Sequence, residues 1–368
     1  MTKIKYYFIL LLAGVAIVSC NKNDDNDVET VPLRDYNVQY KADTDSIMKY
    51  LKTNYIESVS ADFDIKISKI PAGGTQVSIW DQKVYPLQER KVYSNGVDYV
   101  VYYLSLRKGT GISPTNYDKI SASYSGNTLN GKVFDTSHNV PRDFSLEPYL
   151  LGSVIEGWSE IFPQFKMGTV TKATDGSGTI KYEDFGAGVM FLPSGLAYYG
   201  SGQTSIPAYS CLVFSFKLVG VQRLDHDFDG ILDVDEDING DGYLYDVRNT
   251  TKYPNPPKEW LEDDTDKDGL ADFIDVDDDG DGFSTFLEIT KPADQVGIVK
   301  QPDGSFFNFG ISKTYPFHAP VLDNPETPNV DETEPRGIPA FAATGEPDYT
   351  TPTRLRIHLD KAHHKPKP

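Results

Sequence analysis

Tyr124-Ser-Gly126, Gly131-Lys-Val-Phe-Asp135, Leu151-Gly-Ser-Val-Ile-Glu-Gly-Trp158 and Ile206-Pro-Ala-Tyr-Ser-Cys-Leu-Val-Phe214 decide how this chain is read. Rings and branched aliphatics dominate these segments, with Asp135 set among them. Outward from them, apolar and polar residues alternate with the period of two that suits a half-buried strand. Val97-Asp-Tyr-Val-Val-Tyr-Tyr-Leu-Ser-Leu-Arg107 is a long run of this kind, and 119–125 and 212–221 repeat it. One short helix is expected after Ser153, through Ile155, Trp158, Ile161 and Phe162. Pro163 ends or kinks it, because proline lacks the amide hydrogen and its ring clashes with the preceding turn. Residues 96–222 therefore read as a mostly-β domain with one short helix. Upstream, 45–54 reads as a helix capped by Asp43 or Thr44. Asp62-Phe-Asp-Ile-Lys-Ile67 and Gln76-Val-Ser-Ile-Trp80 read as strands.

The 368 residues suffice for two or three compact units, and 39% hydrophobic content can fill a core. A net charge of −19 argues against nucleic acid as a partner, since a phosphate backbone wants clustered Lys and Arg. Nearly all of the excess lies in 224–288, where 22 acids face 4 bases. There the pattern D-x-D-x-D-G recurs. One loop carries Asp225, Asp227, Asp229, Asp233 and Glu236 around Gly230. Another carries Asp264, Asp266, Asp268, Asp272 and Asp275, and a third carries Asp277, Asp279, Asp281 and Glu288 around Gly282. Asp237, Asn239 and Asp241 form a weaker fourth. Alternate acids on a loop that turns at glycine converge on one centre, which suits a hard cation taking six to eight oxygens. Asp225 and Asp264 lie 39 residues apart and Gly242 and Gly282 lie 40 apart, as in a duplicated unit. The helices that flank each loop of a sensor EF-hand are not evident. The segment instead resembles thrombospondin type-3 and related extracellular repeats, which implies structural Ca2+ rather than a switch.

The aromatic segments quoted first together resemble the FKBP-type peptidyl-prolyl cis/trans isomerases, over about 125 of 368 residues. That resemblance implies an α+β fold, an antiparallel sheet curled over one short helix. It also implies a pocket that needs no cofactor to isomerise X–Pro bonds. Trp158 would be its floor, Tyr124, Phe134, Phe144 and Phe214 its walls, and Val154 and Ile155 one rim. The Ile155 amide would donate to a substrate carbonyl, Asp135 would orient polar groups at the side, and Ile206 would sit on the covering loop. A tyrosine from Leu196-Ala-Tyr-Tyr-Gly200 would donate its hydroxyl. Here the family's single tyrosine is doubled, leaving Tyr198 and Tyr199 both open. The Gly152–Val154 segment is shorter than usual, and the hairpin over 169–186 is longer.

Lys3 and Lys5 precede an apolar stretch, 6–18, too short to span a bilayer comfortably. It ends in Ile17-Val18-Ser19-Cys20, which resembles a bacterial lipoprotein cleavage site, so Cys20 would carry the lipid anchor. The acidic run after it reads as a tether or an outer-membrane surface signal. Cys211 then has no disulfide partner and reads as a core residue. Residues 291–368 hold 12 of the 24 prolines, which favours extended, loop-rich structure. Within them Arg354-Leu-Arg-Ile-His-Leu359 alternates like a strand, and His358, His363 and His364 read as part of a basic solvated tail. The expected division is 1–20 signal, 21–95 tether and N-terminal extension, 96–222 isomerase-like domain, 223–290 calcium repeats and 291–368 Pro-rich region. The expected function is an envelope lipoprotein, outer-membrane anchored, acting on proline-containing polypeptides and followed by a calcium-stabilised stalk. The alternative is a non-catalytic, calcium-dependent surface binding or adhesion protein that uses the same pocket.

Overall fold

The computed structural model describes residues 32–148, 154–172, 180–318, 336–341, 347–351 and 353–363. Cys20 and the acidic run after it lie outside the described residues. The described residues from Tyr36 onward form one compact unit. A helix, α1 (Tyr36–Thr53), leads into the hairpin β1 (Asn54–Val59) and β2 (Ile65–Lys69). The helix begins well before the expected cap. Asp43 is not a cap but an interior residue, 2% exposed, whose carboxylate accepts from Gln39 Nε2 and from the Ser194 amide and hydroxyl. Three donors explain an acid on the buried face beside Ile47, Tyr50 and Leu51. Gln76–Trp80 is not a strand either. It is a turn-rich loop that drops Ile79, fully buried, under the sheet.

The main sheet has seven strands. They are β3 (Leu87–Ser94), β4 (Val97–Arg107), β5 (Lys119–Thr128), β6 (Val133–Thr136), β7 (Arg142–Ser145), β10 (Gly186–Leu192) and β11 (Leu212–Gln222). Their order is β3-β4-β10-β11-β5-β6, with β7 also on β5 and every pairing antiparallel. The exposed hairpin β8 (Thr169–Lys172) and β9 (Ile180–Glu183) stands outside it. The expected boundary at 95/96 cuts the β3–β4 hairpin, because Ser94 pairs with Val97 across the turn.

Both faces of the sheet are covered. Tyr99, Tyr103, Met190, Leu192, Phe214 and Phe216 point to one side, onto the short helix α2 (Glu156–Ile161) and its 3-10 continuation Phe162–Gln164, which holds Pro163. Leu104, Val189, Phe191 and Val213 point to the other side, onto Ile47, Leu51 and Ile79. Hence β10 is buried at every residue and reads as a continuous apolar run. Each such side chain contributes roughly 1.5–3 kcal/mol by leaving water.

The acidic segment is docked, not a free stalk. Its Tyr243 hydroxyl donates to the Glu160 carbonyl on α2 at 2.7 Å, and Tyr245 donates to the Glu160 carboxylate. Arg90 of β3 pairs with Glu160 at 3.1 Å and lies 3.5 Å over the Tyr243 ring. Lys252 reaches Glu156 at 2.8 Å. Beyond the loops, α3 (Thr285–Ile289) is capped by the Ser284 side chain. Small hairpins follow, β12 (Ile298–Lys300) with β13 (Phe306–Asn308) and β14 (Ala340–Phe341) with β15 (Pro347–Asp348). Ile231, Ile289, Tyr315, Ile338 and Ile357 form one buried cluster, so the Pro-rich region contributes to a small core rather than only extended chain. Arg354–Leu359 is not a strand. Ile357–Leu359 is a 3-10 turn that buries His358 to 2% exposure, so this histidine is no part of a solvated tail.

Candidate functional site

Register places the aromatic residues. Phe214 on β11 pairs with Gly126 on β5, and Gly126 pairs in turn with Asp135 on β6. A side chain at Gly126 would collide with both Phe134 and Phe214, at 2.6 and 2.7 Å, so only glycine lets those rings meet. Their centroids are 5.5 Å apart. Trp158, projected upward from α2, is the hub. Tyr124 lies 5.1 Å from it, Phe144 5.3 Å and Phe214 5.3 Å, all edge-on, the arrangement that ring quadrupoles favour. Trp158 is 3% exposed and its indole N–H has no partner among the described residues. Val154, Ile155, Tyr124, Phe134 and Phe144 are half-buried around it. Ile155 is the extended residue before the first turn of α2, where backbone amides have no helical acceptor.

Asp135 accepts from the Tyr124 hydroxyl at 2.5 Å and from the Thr136 amide at 2.8 Å. Burial, then this bond to the Asp135 carboxylate, pushes the Tyr124 phenol up to about 12. The two adjacent tyrosines face different neighbours. Tyr198 packs on the Trp158 cluster, and burial followed by the Asp135 charge raises its pKa. Tyr199 turns away, with φ of 45°, to stack on Tyr36 at 4.1 Å and against Tyr209 at 5.1 Å. Tyr199 thus packs on α1 rather than on the Trp158 cluster. Ile206 is buried in a turn closed by two bonds with Gln203.

The acidic segment repeats one construction four times. The first acid of each loop, Asp225, Asp237, Asp264 or Asp277, accepts the amide of the glycine five residues on. The third residue accepts the fifth amide, as Asp227 does from Asp229 at 3.0 Å. The fifth accepts the seventh, as Asp229 does from Ile231 at 2.7 Å. The glycines hold φ of 83° to 101°, which side chains rarely adopt. In each turn the residue before the fifth also has positive φ: Phe228, Gly240, Lys267 and Gly280.

Carboxylates converge in three places among the described residues. These are Asp227, Asp229, Glu236 and Asp278; then Asp264, Asp266 and Asp268; then Asp277, Asp279 and Asp281. Other expected ligands stand outside these groups, and most are held elsewhere. Asp233 accepts the His226 amide and sits 2.6 Å from its ring nitrogen, and Asp272 accepts the Thr265 amide and hydroxyl. Asp225 and Asp237 are taken by loop amides, Asp275 by the Asp277 amide. Asn239 and Asp241 accept loop amides, and Glu288 is buried on α3. Asp278 was not expected. It hides inside an acid run at a loop position occupied elsewhere by His226, Ile238 and Thr265. Equally illegible were Glu156, Glu160 and Arg90, which join the two regions. The first group tests fit to a cation directly. Among the described residues both oxygens of Glu236 are buried without a hydrogen-bond partner, as is one each of Asp227 and Asp229, and Asp278 is buried with only the Thr285 hydroxyl beside its carboxylate. All donors are oxygens, the set that calcium takes and softer metals do not prefer. Burial, then the neighbouring carboxylates, pushes Asp227 up to about 8 and Asp278 up to about 10.

Residues 111–219 match the family model for the FKBP-type peptidyl-prolyl cis-trans isomerase. This region is an FKBP-type domain. Residues 226–329 match a second model, BamM C-terminal, which runs across the expected boundary at 290/291. The chain is 30% identical over 136 residues to peptidyl-prolyl cis-trans isomerase Mip of Coxiella burnetii, covering 36% of this chain and 48% of that one. It is 28% identical over 198 residues to FKBP-type peptidyl-prolyl cis-trans isomerase FkpA of Aeromonas hydrophila, covering 51% and 66%. The crystal structure of FkpA from Escherichia coli aligns at 27% identity and a TM-score of 0.27, covering 37% and 53%. The chain thus spans less than two thirds of the length of these relatives.

Proposed function

We propose that the FKBP-type domain isomerises X–Pro bonds in polypeptides. The observation that carries this reading is the ring of Tyr124, Phe134, Phe144, Tyr198 and Phe214 gathered on Trp158 with one carboxylate, Asp135, at its side. The reaction forms no covalent intermediate. It must lower a rotational barrier of roughly 18–20 kcal/mol. In the twisted form the amide loses resonance, and its nitrogen and carbonyl decouple. Water favours the planar, more dipolar ground state, so a wall of rings favours twisting. Contacts present only in the twisted form do the rest. Trp158 and the surrounding rings hold the proline ring. The Ile155 amide and the Tyr198 hydroxyl donate to peptide carbonyls, and Asp135 fixes the Tyr124 hydroxyl. No cofactor enters the reaction.

The acidic loops hold calcium as a structural ion through Asp227, Asp229, Glu236, Asp264, Asp266, Asp268, Asp277, Asp279 and Asp281. When bound, it neutralises buried carboxylates, and the loop amides fix their orientation. Cys20 carries a lipid that holds the protein in the cell envelope, at the outer membrane. The test is refolding of a proline-limited protein with the full-length chain in detergent. Acceleration is expected, and an unchanged slow phase would sink the isomerase reading. Replacing Cys20 by Ser should release the protein from membranes, and a variant that stays bound rules out the anchor.

A further inference from the structure

We infer that Asp278 is a ligand to a calcium ion caged with Asp227, Asp229 and Glu236, so that one ion ties the first acidic loop to the last. This rests on the calcium reading above and adds a site that no single loop contains, since Glu236 and Asp278 are far apart in sequence. One carboxylate oxygen from each of the four residues lies within 4.8 Å of the others. Calcium binds oxygens at about 2.3–2.6 Å, so ligands on opposite sides of one ion stand ~5 Å apart. The separations match a shared centre.

Burial makes the cage hard to explain without an ion. Asp229, Glu236 and Asp278 are 2%, 3% and 1% exposed. Among the described residues neither oxygen of Glu236 receives a hydrogen bond, and the Asp278 carboxylate has only the Thr285 hydroxyl beside it. Positive groups close in sequence are engaged elsewhere. His226 faces Asp233 and Glu147, and Arg223 pairs with Asp118 at 2.5 Å. Among the described residues no Lys, Arg or His pairs with any of the four. Buried charges without a partner cost several kcal/mol each.

Apolar packing forces the carboxylates together. Ile231, two residues after Asp229, shares a buried cluster with Ile289 at the end of α3. Gly230 lies so close to α3 that a Cβ there would stand 3.1 Å from Ile289 Cδ1. Asp278 is fixed from behind, its amide donating to the buried Thr285 hydroxyl at 3.2 Å. The other two acid groups each lie within one loop. The cage alone closes the segment into a ring, from first loop to last.

The full-length protein in detergent is titrated with calcium alone by calorimetry, and bound ions are counted by native mass spectrometry. Asp278→Asn should lose one ion, or bind it at least about tenfold more weakly, because ligand charge sets affinity. Glu236→Gln should lose the same ion, so that the double variant loses no more than either single one. Asp268→Asn should lose a different ion, additively. If Asp278→Asn fails to fold, Glu236→Gln with Asp268→Asn still separates the sites. Ion number and affinity unchanged in both Asp278→Asn and Glu236→Gln would overturn the cage, with protons shared among the carboxyls taking the ion's place, and leave the other loops as calcium sites. A wild-type protein that binds no calcium would overturn the cage and the calcium reading together.

Discussion

Around Trp158 the chain gathers rings that satisfy one another, while around Glu236 it gathers carboxylates that repel one another. In the first region Tyr124, Phe144 and Phe214 each stand edge-on to Trp158, and the one carboxylate, Asp135, has two donors. The second has its loops set by backbone amides, yet leaves buried oxygens unmet. On the proposed reading, the first is a surface that receives a proline ring and the second a shell that takes an ion. They meet at α2, where Trp158 faces the sheet and Glu160 faces Arg90, Tyr243 and Tyr245.

The largest way to break this contrast is to remove calcium. A site saturated a hundredfold over its Kd contributes about 2.7 kcal/mol. Chelation should therefore lower the melting temperature of the acidic half by roughly 10 °C if several sites empty together. Calorimetry should show that transition moving well below the FKBP-type domain's, and coincident, unmoved transitions would remove the distinction. Next comes the joint. Glu160→Gln leaves the half-buried Arg90 guanidinium without its carboxylate, a change that costs up to about 3 kcal/mol, the low end for a buried pair. It should destabilise both halves in denaturant melts, whereas loss confined to one half would show that they are not coupled there. Within the pocket, Trp158→Leu should lower kcat/KM about 100-fold, or ~2.7 kcal/mol, without altering calcium binding. The smallest effect separates the tyrosines. Tyr198→Phe should weaken kcat/KM by roughly threefold, under 1 kcal/mol, and Tyr199→Phe should leave it unchanged. The reverse order would reassign the hydroxyl.

The aromatic pocket was legible because its residues sit on strands of period two and on one short helix, so spacing fixes facing. Tyr198 and Tyr199 could not be told apart, since the choice depends on Tyr36, far away on α1. Asp43 reads locally as a cap because the Ser194 donors that bury it are 151 residues distant. The four loops were visible in the recurrence of D-x-D-x-D-G, down to the glycines. Asp278 was not, because loop-internal spacing carries no information about a contact between loops. The burial of His358 and the β3–β4 pairing across 95/96 were hidden for the same reason: both are settled by partners that composition does not name.

The most direct measurement is protease-coupled cis-to-trans turnover of a short Phe-Pro peptide by the full-length protein and its Asp135→Ala variant. The wild-type chain should accelerate the reaction. The variant should lose about tenfold of that rate, or ~1.4 kcal/mol, with its melting temperature and calcium binding intact. Equal rates in the two proteins, or no acceleration by either, would contradict the assignment of this pocket as a prolyl isomerase site.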